Sequence, residues 1–548
     1  MPPATPARKA PARKQAPARA KGPAKAPAKG PAKAPAKTSA KAPAKAAAKS
    51  AEANDLLGEG FLVGVATSGF QIEGGFNGPD EPHNNWAGWE AMGRIERSGL
   101  ACDFWRHPEE FLDRAAALGC NTFRLSVEWA RLEPAPEVFD DAALERYAEI
   151  LSMCVARGLA PMVTLHHFTN PVWQGEEFWL RPGSPDVFAR HVRRILPALV
   201  PYCRHWVTIN EPNIVMLMGW VEGAAPPGRR MAMADAYCVL DNLLCAHVLA
   251  ADAIAEVQPE AEVTMNTSSS SIYEHDRMLV DLLQLREAGI DPSDVDTYVD
   301  ERRTVHDVAF PPRHAGEAWL RRFFAAVSPY GTDRPPGSTG AWAALRGRTR
   351  RQVPRRVVDV VGASSRSRVI DAAGFDWYDP IASHAMRVPG WRIAGGGGRD
   401  WSFGRALWDT VSDPAALASW CATEAALRPG LPLWVVENGM ATRAREGRTE
   451  PREDGMDRPR YVREHLGAMA DAVAAGVPVR AYLHWSLVDN YEWGSYEPRF
   501  GLFGLDRSDP AAVRWLDTDS AGFDAAGEFR RVLAGMRAGD RTVLDASR

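Results

Sequence analysis

Two glutamates in this 548-residue chain stand where a side chain is poorly placed for packing and well placed for chemistry. Glu211 lies in His-Trp-Val-Thr-Ile-Asn-Glu-Pro-Asn (205–213), and Glu437 lies in Pro-Leu-Trp-Val-Val-Glu-Asn-Gly-Met (432–440). Each follows a short apolar run that predicts a buried strand, and each precedes a turn signalled by Pro or Gly. Two carboxyl groups that meet at strand ends can serve as a general acid/base and a nucleophile. The alternative is a structural ion pair at the rim of a sheet.

Strand-like and helix-like segments alternate along the chain and predict how these glutamates are positioned. The predicted strands are Phe61–Ala66, Asn121–Val127, Ala160–His166, Trp206–Asn210, Glu262–Thr267, Gly374–Tyr378, Leu433–Glu437 and Val479–Trp485. The predicted helices include Glu109–Leu118, Ala142–Ala156, Val187–Val200, Ala234–Val257, Ala415–Leu427 and Arg460–Ala475. This order predicts the α/β class, as a single (β/α)8 TIM barrel with long βα loops. Residues 268–361 are expected to hold inserted loops and helices, and residues 386–399 a shorter irregular stretch.

Polar and aromatic residues cluster where the predicted strands end. They are Gln71, Glu73, Arg124, Glu128, His166, His167, Asn210, Glu211, Tyr378, Glu437, Asn438 and Trp485. A barrel brings all of these ends to one face. An arginine on an apolar strand needs an anionic partner, and for Arg124 the leading candidate is Glu437. Neighbours on a strand point to opposite sides, so one of the two adjacent histidines is expected in the site and the other in the barrel wall.

The first 50 residues differ in composition from the rest of the chain. They contain 13 Lys and Arg and no acidic residue, in a loose Pro-Ala-Lys-Ala pattern. Such a segment has little apolar surface to bury, so residues 1–52 are expected to form a disordered tail and residues 53–548 the barrel domain. Without the tail the net charge is −17, which argues against nucleic acid or a membrane as the main ligand of the body. The tail by itself is suited to non-specific binding of polyanions.

The cysteines and the absence of certain sequence motifs indicate the cellular compartment and limit the kinds of metal or membrane site to expect. The seven cysteines are odd in number and mostly lie among apolar residues, which favours reduced thiols in a cytoplasmic protein. Cys-x-x-Cys and His-Glu-x-x-His spacings do not occur, so no metal site is expected. The sequence also lacks an apolar signal-peptide region and a stretch of 18 apolar residues, so a membrane span is not expected.

Six motifs follow one another along the chain in a fixed order. They are Phe-Leu-Val-Gly-Val-Ala-Thr-Ser-Gly-Phe-Gln-Ile-Glu-Gly (61–74), Phe-Arg-Leu-Ser-Val-Glu-Trp (123–129), Thr-Leu-His-His-Phe (164–168), Thr-Ile-Asn-Glu-Pro (208–212), Val-Glu-Asn-Gly (436–439) and Trp-Ser-Leu-Val-Asp-Asn-Tyr-Glu-Trp (485–493). With them the chain resembles the family-1 glycoside hydrolases of the β-glucosidase and β-glycosidase type. The resemblance covers most of residues 58–506 and is weaker between about 268 and 370.

The resemblance implies an activity and a role for each matched residue. It implies hydrolysis of terminal β-glucosyl, β-galactosyl or β-fucosyl residues of small glycosides with retention, and no cofactor. Glu211 would be the general acid/base and Glu437 the nucleophile, with Arg124 and Tyr378 keeping the nucleophile ionised and oriented. The residues that would bind the sugar are Gln71, His167, Asn210, Glu492 and Trp493, with Trp485 as the stacking floor. Trp173 is a candidate wall for the leaving group.

The sequence also departs from the family pattern. Asp376 stands where the family has an asparagine, and a carboxylate there would disfavour ionisation of a nearby Glu437. Asn170 stands where many members have leucine. Glu492 and Trp493 are kept and no Lys-Tyr clamp follows them, which disfavours 6-phosphorylated sugars. Two alternatives remain open: transglycosylation at the same site, and a sugar-binding barrel without turnover. The oligomeric state is not predicted.

Overall fold

Eight parallel strands form a closed ring in the computed structural model, which describes residues 55–312, 315–332, 340–378, 408, 412–446 and 448–545. They are β1 (Leu62–Ala66), β2 (Thr122–Ser126), β3 (Ala160–Thr164), β4 (His205–Asn210), β5 (Glu262–Ser268), β6 (Ala373–Trp377), β7 (Leu433–Asn438) and β10 (Val479–Trp485). They pair in chain order, and β10 pairs with both β7 and β1 to close the ring. The predicted barrel is therefore confirmed, with every strand end within two residues of its prediction.

The barrel strands are buried on both faces, which explains why their sequences are continuous apolar runs. Ala66, Met162, Val207, Trp434 and Leu483 belong to the cluster that fills the barrel interior. A much larger apolar cluster lies between the outer faces of the strands and the surrounding helices. Polar side chains that point inward at the carboxyl ends therefore lie above a packed floor and below the loops.

Helices follow most strands and cover the outside of the ring. They include Pro108–Ala117, Asp141–Ala156, Ser184–Leu199, Met233–Val257, Pro414–Leu427, Arg458–Ala474 and Ala525–Arg537. The six predicted helices all occur, with ends within three residues of prediction. Asp140, Asp413 and Asp457 cap three of them by accepting a hydrogen bond from a backbone N–H of the first turn.

In its described residues, the long connection between β5 and β6 holds five helices. They are Arg277–Leu283, Val295–Ala309, Ala315–Val327, Gly340–Gln352 and Arg356–Ala363. The last two pack against helix Met233–Val257. The expected boundary at residue 52 and the irregular stretch 386–399 lie outside the described residues.

Helix Met233–Val257 is long and apolar enough to cross a membrane, alone among the helices of the described ranges. Most of it, 78% of its most apolar stretch, is buried inside the protein. Its apolar composition is thus accounted for by packing between the barrel wall and the helices around it.

Two small antiparallel sheets lie outside the barrel. One joins β8 (Thr442–Arg445) to β9 (Arg448–Glu450) and to β11 (Pro498–Arg499), and the other joins β12 (Leu505–Asp506) to β13 (Arg514–Trp515). Because β8 follows β7 and β11 follows β10, the first sheet ties together two loops at the carboxyl ends of neighbouring barrel strands.

Candidate active site

Glu437 lies at the end of β7, where both of its carboxyl oxygens receive hydrogen bonds. Arg124 on β2 donates from Nη1 to Oε1, and the Tyr378 hydroxyl, just after β6, donates to Oε2. The Glu437 side chain is only 3% exposed, so these contacts are made away from solvent. A buried carboxyl group held by a cation and a hydroxyl donor is stabilised as the carboxylate.

Arg124 is fixed by contacts to three other barrel strands, β3, β4 and β7. Besides the Glu437 contact, Nη2 donates to Asn210 Oδ1 (2.6 Å) and Nε donates to Thr164 Oγ1 (2.9 Å). The guanidinium is fully buried on β2. All three of its nitrogens are thus engaged, and the positive charge cannot move away from Glu437 without breaking contacts to β3 and β4.

Asn210 is oriented by the donors that its carbonyl oxygen receives. Oδ1 accepts from Arg124 and from Asn266 Nδ2 (2.8 Å), while Nδ2 lies 3.5 Å from Glu211 Oε2. Because the oxygen is occupied by two donors, the amide nitrogen is directed towards Glu211 and the centre of the site. It is a donor available to a ligand hydroxyl.

Glu211 follows β4 in a left-handed backbone conformation, with φ +41° and ψ +62°. A residue other than glycine is strained there, and such strain is concentrated at functional sites. Its N–H donates to the carbonyl of Asn266, and its side chain is 7% exposed. Burial, with the charge of Glu437 as the second cause, raises the pKa of Glu211 to about 8.

These two carboxyl groups therefore lie in different electrostatic environments. Glu211 retains its proton because it is buried and faces a negative neighbour. Glu437 is stabilised as an anion by Arg124 and Tyr378. A protonated acid and an ionised nucleophile in one site are the requirement for acid-assisted displacement at an acetal carbon.

Asp376 adds a third carboxyl group to the site. It lies on β6 opposite Glu437 on β7 and Ser268 on β5, and it is fully buried. Asn266 donates to its Oδ2. Burial, followed by the charges of Glu437 and Glu211, raises the pKa of Asp376 well above its usual range. Asp376 therefore lies in the same buried cluster as Glu211 and Glu437.

A second group of amide and carboxyl side chains surrounds Glu492, whose carboxyl group is close enough to feel the charge of Glu437. Gln71 Nε2 donates to Glu492 Oε2 (3.0 Å) and to the carbonyl of Tyr491 (2.9 Å), and its Oε1 accepts from Ser68 (2.7 Å). Asn490 Nδ2 donates to the same oxygen of Glu492 (2.8 Å). Burial raises the pKa of Glu492 to about 7. Such neighbouring donors and acceptors suit adjacent hydroxyls of a sugar ring.

His167 lies between two tryptophans. Its ring is nearly parallel to Trp485 (centroids 6.0 Å apart, 18° between planes) and to Trp493 (5.7 Å, 12°). Trp493 has φ +43° and Phe168 has φ +68°, so the backbone around this cluster is strained as it is at Glu211. Two indole faces beside polar groups suit a ligand with alternating apolar and hydroxylated surfaces.

Two residues considered from the sequence lie elsewhere. His166 packs edge-on against Trp179 and bonds Asn170 Oδ1 (3.1 Å), so it faces the helices while its neighbour faces the site. Trp173 donates from its indole nitrogen to the carbonyl of Glu133 (2.8 Å), outside this cluster. Across the described residues, no group of three or more His, Cys, Asp or Glu is arranged to hold a metal ion.

Sequence reasoning missed several polar residues of the site, and three of them lie around the two glutamates. Asn266 joins Asn210 to Asp376, Thr164 anchors Arg124, and Ser268 hydrogen-bonds Glu211. The signal for Asn266 was present, because an amide within an apolar strand needs partners just as Arg124 does. Thr164 and Ser268 carried no such signal, since hydroxyls are common at strand ends.

Comparison with known proteins gives one family. The model of glycosyl hydrolase family 1 matches residues 53–290 and 399–524. A β-glucosidase of Agrobacterium sp. is 26% identical over 493 residues, covering 84% of this chain and 95% of the relative. A bifunctional β-D-glucosidase/β-D-fucosidase of Bifidobacterium breve is 27% identical over 477 residues, covering 83% and 95%.

A solved structure shows the same fold. The β-glucosidase from Thermotoga maritima, in complex with a calystegine derivative, superposes with a TM-score of 0.64 at 21% identity. The match covers 87% of this chain and 98% of that chain, so the likeness extends over nearly the whole barrel.

Proposed function

The chain belongs to glycosyl hydrolase family 1, and from this premise we propose that it is a retaining exo-β-glycosidase. Its substrates would be small glycosides with a terminal β-glucosyl, β-galactosyl or β-fucosyl residue. The β-glucosidase and β-fucosidase names of two relatives support the sugar class. The observation that carries the proposal is the pairing of a proton-holding Glu211 with an arginine-bound Glu437.

In the proposed mechanism both glutamates act in each of two successive steps, and their contacts support these roles. In the first, Glu437 attacks the anomeric carbon while Glu211 gives its proton to the leaving oxygen, so a glycosyl ester of Glu437 forms. In the second, Glu211, now ionised, takes a proton from water as the water displaces Glu437. Asn210, whose amide nitrogen faces the centre of the site, would donate to the 2-hydroxyl of the sugar.

A 2-deoxy-2-fluoro-glucoside with a good leaving group tests the nucleophile. The fluorine slows both steps and the leaving group restores the first, so the ester accumulates. Peptide mass spectrometry should place the adduct on Glu437, and E437Q should form none. An adduct on any other residue would refute the assignment.

The acid/base assignment has an independent test. E211Q should lose most activity towards poor leaving groups and much less towards activated aryl glycosides, because only poor leaving groups need the proton. Equal losses for both classes would contradict the role of Glu211. E492Q serves as the matched control: another buried carboxyl group of the site is changed, and the loss should not depend on the leaving group.

Transglycosylation remains a second outcome at the same site. It would occur if an acceptor other than water displaced Glu437 from the same glycosyl ester. Product analysis with added alcohols separates the two: new glycosides at the expense of free sugar indicate transfer. The turnover of aryl glycosides, absent in E437Q, would exclude a barrel that only binds sugar.

We also propose that the N-terminal 50 residues bind polyanions non-specifically. The support is their charge, 13 basic residues and no acidic residue. Retention on heparin or DNA should fall with salt and with deletion of residues 1–50, while glycoside hydrolysis should not change. Unaltered retention of the deleted protein would end this proposal.

We place the protein in the cytoplasm. All seven cysteines lie in the described part, all are free, and six of them are buried. Reduced thiols of this kind are typical of a reducing compartment. Cell fractionation together with alkylation of accessible thiols tests the location, and recovery in a secreted fraction would refute it.

A further inference from the structure

We propose that Asp376 holds a proton in the resting protein and donates it as a hydrogen bond to Glu211, which makes it a positioning residue for the general acid/base. The inference rests on the proposed function for its consequence in catalysis. Its physical content, a neutral carboxyl group on β6, is independent of the substrate.

The contacts of the Asp376 side chain account for one of its two oxygens. Oδ2 accepts from Asn266 Nδ2, whereas Oδ1 is buried and receives no hydrogen bond from any residue in the described ranges. A carboxylate oxygen buried in this way would lack compensation. A protonated carboxyl group has a donor to offer instead, and Glu211 lies within hydrogen-bonding reach of Asp376.

The charges that face Asp376 come from four elements. Glu437 on β7 and Glu211 after β4 are acidic, Arg124 on β2 is the cation that faces all three carboxyl groups, and Tyr378 follows on its own strand. Arg124 already donates to Glu437, so its charge is matched there. A second buried negative charge would be uncompensated, and for this reason the pKa of Asp376 stands well above its usual range.

The proposed hydrogen bond acts when Glu211 changes charge. As Glu211 transfers its proton to the leaving oxygen, it becomes a carboxylate, and the Asp376 O–H then donates to an anion. Such O–H···O⁻ bonds are stronger than bonds between neutral groups. Asp376 keeps its proton throughout, and Glu211 recovers its own from the attacking water. An asparagine could donate only the weaker N–H at the same place.

Two variants of Asp376 separate a neutral from an ionised side chain. D376N keeps a neutral donor, so the alkaline limb of kcat/KM, expected at about pH 8 from Glu211, should move by less than about half a pH unit. D376A removes the donor, so the limb should move upward and kcat/KM should fall on the order of ten- to a hundred-fold. A downward move of the limb in both variants means that a negative charge was removed, and overturns the proposal. Identical behaviour of D376N and D376A also overturns it.

A measurement without substrate distinguishes failure of this inference from failure of the proposed function. The infrared difference spectrum of wild type minus D376N at pH 7 should contain the C=O band of a protonated carboxylic acid. The matched control is D281N, because Asp281 is equally buried but paired with Arg428, and its difference spectrum should show carboxylate bands. Carboxylate bands for Asp376 would refute the inference even if the protein hydrolyses glycosides. The acid band would support it even in a chain without turnover.

Discussion

Esterification of Glu437 is expected to lower the pKa of Glu211. Burial and the charge of Glu437 together raise that pKa from 4.5 to about 8. At about 1.4 kcal/mol per pH unit, this difference corresponds to roughly 5 kcal/mol favouring the protonated form. Burial is the larger cause, and it persists in the glycosyl-enzyme, whereas the charge of Glu437 does not. Loss of that charge should therefore lower the pKa by about one to two pH units.

The assay compares the two steps of the reaction. The kcat/KM of the free protein should fall as pH rises through about 8, because Glu211 must be protonated to act as an acid. The 2-deoxy-2-fluoroglucosyl protein is then isolated, and its spontaneous reactivation is followed against pH. Its rate should rise through a midpoint at about pH 6 to 7, because Glu211 must now be ionised to act as a base. E211Q trapped in the same way should lack this rise.

One outcome of the two pH profiles would contradict an effect of the Glu437 charge on the pKa of Glu211. If reactivation rises with a midpoint at or above the alkaline limit of kcat/KM, then the charge of Glu437 does not contribute to the pKa of Glu211. Burial alone would have to account for the proton on the acid, and the coupling between the two glutamates would be absent.

Two further substitutions test the contacts of Glu437, and a third tests another buried carboxyl group, Glu128. R124M leaves Glu437 without its cation, and we expect a loss of about 3 to 5 kcal/mol in the free energy of unfolding by urea, with kcat reduced at least about a hundred-fold; a wild-type kcat would refute this. Y378F removes one hydrogen bond to a charged oxygen, so kcat/KM should fall about ten- to a hundred-fold, and an unchanged value would contradict the contact. Burial raises the pKa of Glu128 to about 8, so the folded state releases this proton later than the unfolded state and stability falls as pH rises from 5 to 8. Between pH 5 and 8 the stability of E128Q should fall less than that of the wild type. The difference should be on the order of 1–3 kcal/mol in urea unfolding, and equal slopes of stability against pH would refute the effect.

The barrel could be predicted because each of its strands carries its own signal. Leu433–Asn438 and Thr122–Ser126 are buried along their whole length, so composition alone marks them. Their position between amphipathic helices then decides the topology, since parallel strands need crossovers. The predicted strands differ from the observed ones only at their ends, because pairing rather than composition decides the last hydrogen bond.

The contacts of the site depend on strand register, which composition does not encode. The pairing of β4 with β5 shifts between Val207 and Asn210, and the pairing of β6 with β7 shifts between Phe375 and Asp376. The first shift pairs Asn210 with Asn266, and the second pairs Asp376 with Glu437. From the sequence, Asp376 was only a substitution near Glu437, because its distance from the other carboxyl groups follows from the shifted register.

The backbone conformation of Glu211 could not be predicted from the sequence either. A residue before proline is biased towards extended conformations, so Glu211 before Pro212 is expected to continue the strand. It is instead left-handed, and its N–H bonds the carbonyl of Asn266 on β5. This turn brings its side chain within reach of Asp376 and Ser268. Tertiary contacts thus override the local preference at the residue that must face the site.

The placement of one cation explains how chemically similar carboxyl groups take different roles. Glu211, Asp376 and Glu437 are all buried, and burial disfavours the ionised form of a carboxyl group. Arg124 donates from Nη1 to Glu437 and from Nη2 to Asn210, the residue before Glu211. The negative charge therefore settles on the carboxyl group that Arg124 touches, and that charge in turn favours the proton on the other two. In the proposed mechanism, the direction of the guanidinium on β2, more than any difference among the acids, decides which group attacks and which donates.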